Sequence, residues 1–185
     1  MIYFSFIVFV ILLFVIYLIS TRYKHCPVDK ILVIYGKVGS AGESMKLVHD
    51  GTAFIIPIIQ NYKYLDLTPI EIEVDGNFLT KLNHQINLKS KLSVVITTNP
   101  RYWKNAAERL TGLEPREIKT LAINIIYSEV RKVFAQSDKI SLITDKEKLL
   151  QDLSGNIELE LNKIGMNLKL MNISEITNID SILKS

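Results

Sequence analysis

The sequence predicts an α+β protein, in which an N-terminal transmembrane helix precedes a mixed, mostly antiparallel β-sheet domain with about three helices. Three observations support this fold class. The chain opens with a long uncharged run, its first half alternates apolar and polar residues as half-buried strands do, and its second half changes to the helical period of about 3.6 residues. The expected organisation is an anchor at 1–21, a β-rich half at 22–98, and a helical half with a final strand at 99–185.

The N-terminal run from Met1 to Ile19 contains no charged side chain, and Ser5 is its one plainly polar residue. At about 1.5 Å per residue, a helix of this length is roughly 28 Å long, close to the ~30 Å hydrocarbon thickness of a bilayer. A cleaved signal peptide is disfavoured because the run lacks a basic start and a small-residue cleavage site. A buried core helix is disfavoured by the length and uniformity of the run. We predict an anchor that stays on the chain; a re-entrant hairpin is the alternative, although no Gly or Pro is present to make its bend.

Basic residues follow the anchor closely, but none precedes it. Arg22 and Lys24 lie at its end and Lys30 follows, so the positive-inside rule puts the bulk of the chain in the cytoplasm after a single pass. Two tyrosines at the end of the run occupy the place of interfacial aromatic residues. The residues expected to contact the membrane in this region are Phe4, Phe9, Leu13, Tyr17, Arg22 and Tyr23.

Cysteine content and charge restrict the function classes. Cys26 is the single cysteine, which excludes an internal disulfide and fits a reducing compartment. Because Cys26 lies just beyond the anchor, it is either a lipidation site or an unmodified thiol near the headgroups. The net charge of +3 is small and dispersed. It is compatible with attraction to anionic headgroups and does not indicate nucleic-acid binding.

The first β segment after the anchor is the β-branched run Lys30–Gly36, which glycine ends. The glycine-rich stretch 39–44 predicts a turn, Met45–His49 a partner strand, and Asp50–Gly51 a second turn.

The apolar segment from Ala53 to Ile59 follows without alternation. Our favoured interpretation is a strand buried on both faces. The alternative is a segment that dips into the bilayer beside the anchor, and Pro57 favours it because proline fits edge or irregular segments. The membrane-contact residues would then include Phe54, Ile55, Ile56, Ile58 and Ile59.

Period-two alternation predicts two further strands, between Tyr62 and Val74 (interrupted at Thr68–Pro69) and between Ile86 and Thr97. A turn is expected at Asp75–Asn77. The predicted inner residues are Ile70, Ile72, Val74, Ile86, Leu88, Leu92, Val94 and Ile96, and the predicted outer ones are Glu71, Glu73, Asp75, Asn87, Lys89, Lys91 and Thr97.

Three helices are predicted in the second half. Asn99 caps a helix that Pro100 begins and Gly112 stops. Pro115 opens the second helix, which ends at Ser137–Asp138. Residues 144–147 have capping-box spacing for the third helix, and Gly165 ends it. A last strand, Leu168–Ile173, is expected to rejoin one mixed sheet.

Catalytic and metal-binding patterns are absent from the sequence. His25, His49 and His84 are widely spaced and lack helical partners, so no metal site is predicted. No nucleophile motif or phosphate-binding glycine loop occurs, so neither an enzyme nor a cofactor is expected. Tyr102 and Trp103 are expected either to join the core or to anchor a partner. A loose basic zone contacts either water or anionic lipid: Arg101, Lys104, Arg109, Arg116 and Lys119.

Four segments in order resemble the bacterial flotillin branch of the SPFH (prohibitin-homology, Band 7) family: Cys26–Gly36, Phe54–Gln60, Tyr64–Ile70 and Asn105–Leu113. The resemblance extends from about Tyr23 to Ile179. It implies an SPFH fold and a membrane scaffold that assembles into large homo-oligomers, organises microdomains, and in some bacterial members works with NfeD-type partners.

Flotillins continue into an Ala/Glu-rich coiled coil, whereas this sequence shows no sustained heptads before Ser185. Homo-oligomers are therefore expected in a full-length context, and autonomous assembly of these residues is in doubt. Two functions stay open: a lateral scaffold, and a membrane-tethered module for one NfeD-type partner. A third, an anchored hydrolase, would need a nucleophile with a positioned base.

Overall fold

The computed structural model describes residues 2–38, 43–138 and 145–178, without the side chains of residues 2, 5 and 43. Residues 39–42 of the glycine-rich turn predicted at 39–44, and the expected cap at Thr144, therefore lie outside the described residues. The remaining two residues of that predicted turn, 43 and 44, are part of a strand instead. The chain divides into two units, Met1–Asp66 and Leu67–Ser185. Each contains a three-stranded antiparallel sheet. The single mixed sheet predicted from the sequence is therefore wrong, and the boundary between the units falls inside the β-rich segment 22–98.

The first unit consists of one helix and a sheet of order β2-β1-β3. Its elements are α1 (Ile2–Ser20), β1 (Tyr23–Val38), β2 (Glu43–Phe54) and β3 (Gln60–Asp66). The β-branched run Ile31–Ile34 is fully buried because β1 is the central strand. A small core forms from Cys26, Leu32, Ile34, Val38, Ala53 and Ile55.

The turn predicted at Asp50–Gly51 does not occur. β2 continues through it, and Gly51 pairs with Cys26. The turn-forming residues instead accommodate a bulge: the register shifts between Cys26 and Ile31 on β1, and opposite this shift Asp50 adopts a positive φ of 54°. Aspartate tolerates this conformation better than most residues, so the same preference that signals a turn supports an irregular strand here.

The predicted anchor is helical, as α1, and its described side chains are exposed. Within the described residues, no helix of the molecule combines the length and the hydropathy that a membrane span requires.

The second unit has a sheet of order β4-β5-β6 that contacts its helices on one side. Its elements are β4 (Ile70–Leu79), β5 (Gln85–Ile96), α2 (Pro100–Leu110), α3 (Pro115–Gln136), α4 (Lys146–Lys163) and β6 (Met166–Asn178). The buried inner residues of β5 are those that the alternation predicts. Phe78 of β4 packs against Phe134 of α3 with ring centroids 5.2 Å apart. The predicted return of the last strand to the sheet is confirmed, because β6 pairs along β5.

Two predictions in this unit are wrong. No turn forms at Asp75–Asn77, because β4 continues to Leu79 and the hairpin turn lies at residues 80–84. The Asn87 amide donates to Asp75 and Asn77 across the ladder, which satisfies these turn-type side chains within the strand pair. Thr97 is buried instead of lying on the wet face; it follows the last residue of β5, and its N–H donates to the carbonyl of Gly165 at 2.9 Å.

The predicted helix boundaries are confirmed where the structure describes them. The Asn99 side chain accepts from the N–H of Arg101 at 3.0 Å, and Pro100 occupies the first turn. Glu114 forms a capping box with Glu117 at the start of α3. Asp145 caps α4 by accepting from the N–H of Lys148 at 3.0 Å.

We expect Asn99→Ala to lower the free energy of unfolding by about 1 kcal/mol, because a first-turn N–H loses its acceptor. Urea unfolding followed by circular dichroism measures this change. Asn99→Ser is the matched control, because its hydroxyl can also accept this bond. An Asn99→Ala variant as stable as the parent would show that the cap contributes nothing.

Candidate membrane-contact site

The surface of α1 is apolar on all sides. The predicted contact residues Phe4, Phe9, Leu13 and Tyr17 are between 50% and 74% exposed; the last three share one face by their spacing, and Phe4 lies on another. A soluble amphipathic helix would have a polar face opposite its apolar stripe, and α1 lacks one. The described part of the molecule therefore leaves this helix without a protein cover.

The end of α1 is joined directly to the segment after β2. The hydroxyl of Thr21 donates to the carbonyl of Leu18 at 2.9 Å, which closes the helix. The carbonyl of Arg22 accepts from the N–H of Ile55 at 3.1 Å. The rings of Tyr23 and Phe54 meet edge to face with centroids 5.3 Å apart. A shallow groove between the two segments is lined by Val15, Leu18, Ile19, Arg22, Phe54 and Pro57.

The apolar segment Ala53–Ile59 is not the strand buried on both faces that we favoured. β2 ends at Phe54, and residues 57–59 form a turn before β3. Ile55 is only 5% exposed and joins the small core, so it is not a surface residue as the list of contact residues assumed. Phe54, Ile56 and Ile59 are nearly half exposed, and Ile58 is fully exposed. Pro57 has no N–H to donate to a ladder, which is compatible with its place in this turn.

Gln60 closes this turn through its side chain and its backbone. Its Oε1 accepts from the N–H of Ile56 at 3.0 Å, and its Nε2 donates to the carbonyl of Lys37 at 2.9 Å. Its own N–H donates to the carbonyl of Ile56 at 3.1 Å. Sequence reasoning missed Gln60; a lone amide directly after the apolar run was the one available signal.

Gly36 permits the close approach of β1 to the turn. It has a φ of +119°, and an added Cβ would lie 2.3 Å from the carbonyl oxygen of Ile59. The next residue, Lys37, donates its N–H to that same oxygen at 3.1 Å. We interpreted Gly36 as the end of a strand, whereas the structure makes it a contact point for the turn.

Ile58 has an unusual backbone conformation at the tip of the turn. Its φ is +78°, in the left-handed region. A β-branched residue there is a genuine outlier, at a cost of about 1–3 kcal/mol. Such strain persists only where surrounding contacts enforce it, and the Gln60 hydrogen bonds surround this residue.

Aromatic and cationic side chains lie on the same unit. Lys24 Nζ is 5.4 Å from the centroid of the Tyr62 ring, and Tyr62 meets Tyr64 edge to face. The Tyr64 hydroxyl donates to the carbonyl of His25 at 3.1 Å. Desolvation by burial, and then the neighbouring Tyr62, raise the pKa of Tyr64 above its ordinary value.

The position of Cys26 in the structure does not suit a lipidation site. It is fully buried, and its thiol points at the carbonyls of Lys30 and Val48 at 3.2 and 3.3 Å. An acyl chain on this sulfur would require the small core to open. The thiol therefore acts as a small, unmodified core residue.

The histidines and carboxylates form no centre in the described residues. No three His, Cys, Asp or Glu side chains there lie close enough to hold a metal ion. His49 Nδ1 lies 3.1 Å from the carbonyl of Lys30.

Exposed ion pairs account for two shifted carboxylates on the outer face of the second sheet. A hydrogen bond from Lys91, at 2.8 Å, lowers the pKa of Glu73. Hydrogen bonds from Thr177 and then Lys89 lower the pKa of Glu175. Both lysines lie on the strand next to their carboxylate, and Thr177 lies on the same strand as Glu175, so these contacts belong to the surface of the sheet.

The aromatic pair and the basic zone of the helical half are surface features. Tyr102 and Trp103 are both half-buried, so they are neither fully in the core nor fully exposed to a partner. The predicted basic residues on α2 and α3 are exposed, and the zone is interrupted by acids: Lys104 pairs with Glu108 at 3.8 Å.

These features define a class of α+β protein. An uncharged helix leads into antiparallel sheets, and an exposed apolar turn lies beside the end of that helix. The model of the SPFH domain / Band 7 family matches residues 26–184, so the chain belongs to this family. The chain is also similar to the flotillin-like protein FloT of Bacillus subtilis (strain 168), with 20% identity over 188 residues, 97% of this chain and 37% of the relative. It thus spans little more than a third of that relative's length. The resemblance predicted from the four sequence segments is confirmed.

Proposed function

We propose that the chain is a membrane-anchored, flotillin-like scaffold protein without catalytic activity. In this function it associates laterally with its own copies and organises membrane microdomains or membrane-protein complexes. The observation that carries the proposal is α1, a helix without a charged or polar face whose apolar side chains have no cover in the described chain. Membership of the SPFH family supports a membrane-associated role.

Anchoring follows from the uncharged run Met1 to Ile19, whose side chains the structure describes only in part. Each Leu, Ile, Phe or Val contributes roughly −0.3 to −0.6 kcal/mol to insertion, so a run of this composition favours the bilayer by about 5 kcal/mol or more. The cations Arg22, Lys24 and Lys30 follow the run, which supports a single pass with the bulk of the chain in the cytoplasm.

The surface next to the anchor extends the proposed contact. Arg22 and Tyr23 lie at the end of α1, where charged and amphipathic aromatic side chains meet headgroups. Phe54, Ile56, Ile58 and Ile59 are exposed in the segment that is hydrogen bonded to Arg22. We assign these residues to the interface, and we exclude Ile55 because it is buried.

Lateral association is supported by the family relationship and by the open sheets. Within the described residues, β2, β3, β4 and β6 are all outer strands with one edge that no strand covers. Such edges are templates for pairing with another chain.

Light scattering on the detergent-solubilised full chain after size exclusion tests assembly. With detergent mass subtracted, we expect a species of many subunits whose mass is the same at two detergent concentrations. The two concentrations control for chains that merely share a micelle. A monomer or dimer would contradict autonomous scaffolding and favour the tethered module. Co-purification of one dominant membrane protein, of the NfeD type, would then support that second function.

A further inference from the structure

The turn after β2 presents an exposed apolar side chain at a strained position. Ile58 is fully exposed and has a φ of +78°. Exposure of a large aliphatic side chain and a left-handed β-branched residue are both unfavourable in water. Strained backbone clusters at binding and switch sites, so a strained and exposed apolar residue makes this turn a candidate for a functional surface.

Gln60 is chemically suited to enforce that arrangement. One of its amide atoms must accept from Ile56 and the other must donate to Lys37, whose backbone belongs to a different strand. A carboxylate can only accept and an ammonium can only donate, so neither could make both bonds. The amide ties the start of the turn to the end of β1. Gly36 leaves room for that approach.

We propose that Gln60 is a positioning residue that locks the turn with Ile58 pointing outward, so that the turn enters the interface of an anionic leaflet as a preformed wedge. The inference rests on the proposed membrane function and adds how the contact is built and which lipid it prefers. Preorganisation matters because a flexible segment would have to be ordered on insertion, which weakens binding.

The lipid class follows from the charges at the two ends of the turn. The backbone of Arg22 is hydrogen bonded to Ile55 at one end, and the backbone of Lys37 to Ile59 at the other. Both cationic side chains are exposed, and the sequence from Gly51 to Tyr62 contains no charged residue. An apolar centre between cations matches the boundary between acyl chains and anionic phosphate headgroups.

Fluorescence of the reconstituted full chain tests the wedge. The thiol of an Ile56→Cys variant, labelled with an environment-sensitive dye under native conditions, reports the depth of the turn. The one thiol of the parent chain, that of Cys26, is buried. The parent chain should therefore stay unlabelled under the same conditions, which checks that the dye reacts only with the introduced cysteine. We expect shielding from the neutral quencher acrylamide in phosphatidylcholine vesicles containing phosphatidylglycerol, and weaker shielding in phosphatidylcholine alone.

Two substitutions in the labelled chain separate positioning from folding. Gln60→Met keeps the side-chain size, and we expect it to raise acrylamide quenching severalfold, with Gln151→Met on α4 as the matched control. Ile58→Gly removes the strain, so we expect it to raise the melting temperature by a few degrees while also increasing quenching. Opposite effects on stability and insertion cannot arise from misfolding.

The outcomes distinguish a failure of this inference from a failure of the proposed membrane function. Equal quenching in the parent and in Gln60→Met would overturn the wedge, and so would equal quenching in both vesicle types. If the parent chain still floats with the vesicles in that case, membrane anchoring stands. Loss of flotation of the parent chain itself would overturn membrane anchoring, and the inference with it.

Discussion

Replacing Phe9 and Leu13 together by arginine should release the chain from the membrane. Both side chains lie near the middle of α1 and are at least half exposed. Each arginine at the centre of a membrane helix costs about 2.5–3.5 kcal/mol, so the pair costs roughly 5–7 kcal/mol. This offsets an insertion energy of about 5 kcal/mol or more. The partition constant between bilayer and water should therefore fall by about four to five orders of magnitude, and the fraction resistant to carbonate extraction should fall with it.

Thr21→Arg is the positional control, because it adds an arginine just beyond α1, next to Arg22, and not within the apolar run. There the side chain reaches the headgroups, and we expect membrane retention to be unchanged. A double variant that stays in the carbonate-resistant pellet would show that α1 is not the element that holds the chain in the bilayer.

The parts of the fold that could be predicted are those with a sustained period. The inner residues of β5 are buried as expected, and the helical period of the second half does correspond to helices that bury one apolar stripe each. The N-cap at Asn99 and the proline in the first turn could also be predicted, since their interactions are local. Local chemistry and burial agree in these elements, so sequence alone suffices.

Turn signals failed where strand pairing overrode them. Asp50–Gly51 and Asp75–Asn77 have turn composition, yet both lie within ladders. A bulge accommodates the first, and cross-strand hydrogen bonds to Asn87 satisfy the second. Because the stabilising partners are distant in sequence, composition could not distinguish a turn from an irregular strand. The division into two sheets was hidden for the same reason.

Only part of the candidate site could be predicted from the sequence. The apolar run Ala53–Ile59 is equally consistent with a core strand and a surface turn, and the deciding contacts come from Lys37 and Gln60. Lys37 is far from the run in sequence, so no periodicity connects them. Membrane insertion of α1 is a prediction from the uncharged run and stays one.

Gly165→Ala should have the largest effect on stability in the second unit. Gly165 has a φ of +77° and lies between α4 and β6. An added Cβ would lie 2.2 to 2.4 Å from the backbone N, the Cα and the Cβ of Ala106, which is fully buried in α2. The Gly165 backbone cannot shift freely, because its carbonyl accepts the hydrogen bond from the N–H of Thr97. Strain and overpacking together should cost about 3–5 kcal/mol.

That loss is a large part of the 5–15 kcal/mol typical of a folded domain, so the urea midpoint should fall steeply. Gly155→Ala is the control within the same unit: the residue lies inside α4, is exposed, and an added Cβ would meet nothing within 4 Å. Because alanine favours a helix over glycine, this variant should be more stable than the parent by about 0.5–1 kcal/mol. If the two variants unfolded at the same urea concentration, the contact between Gly165 and α2 could not be essential to this unit.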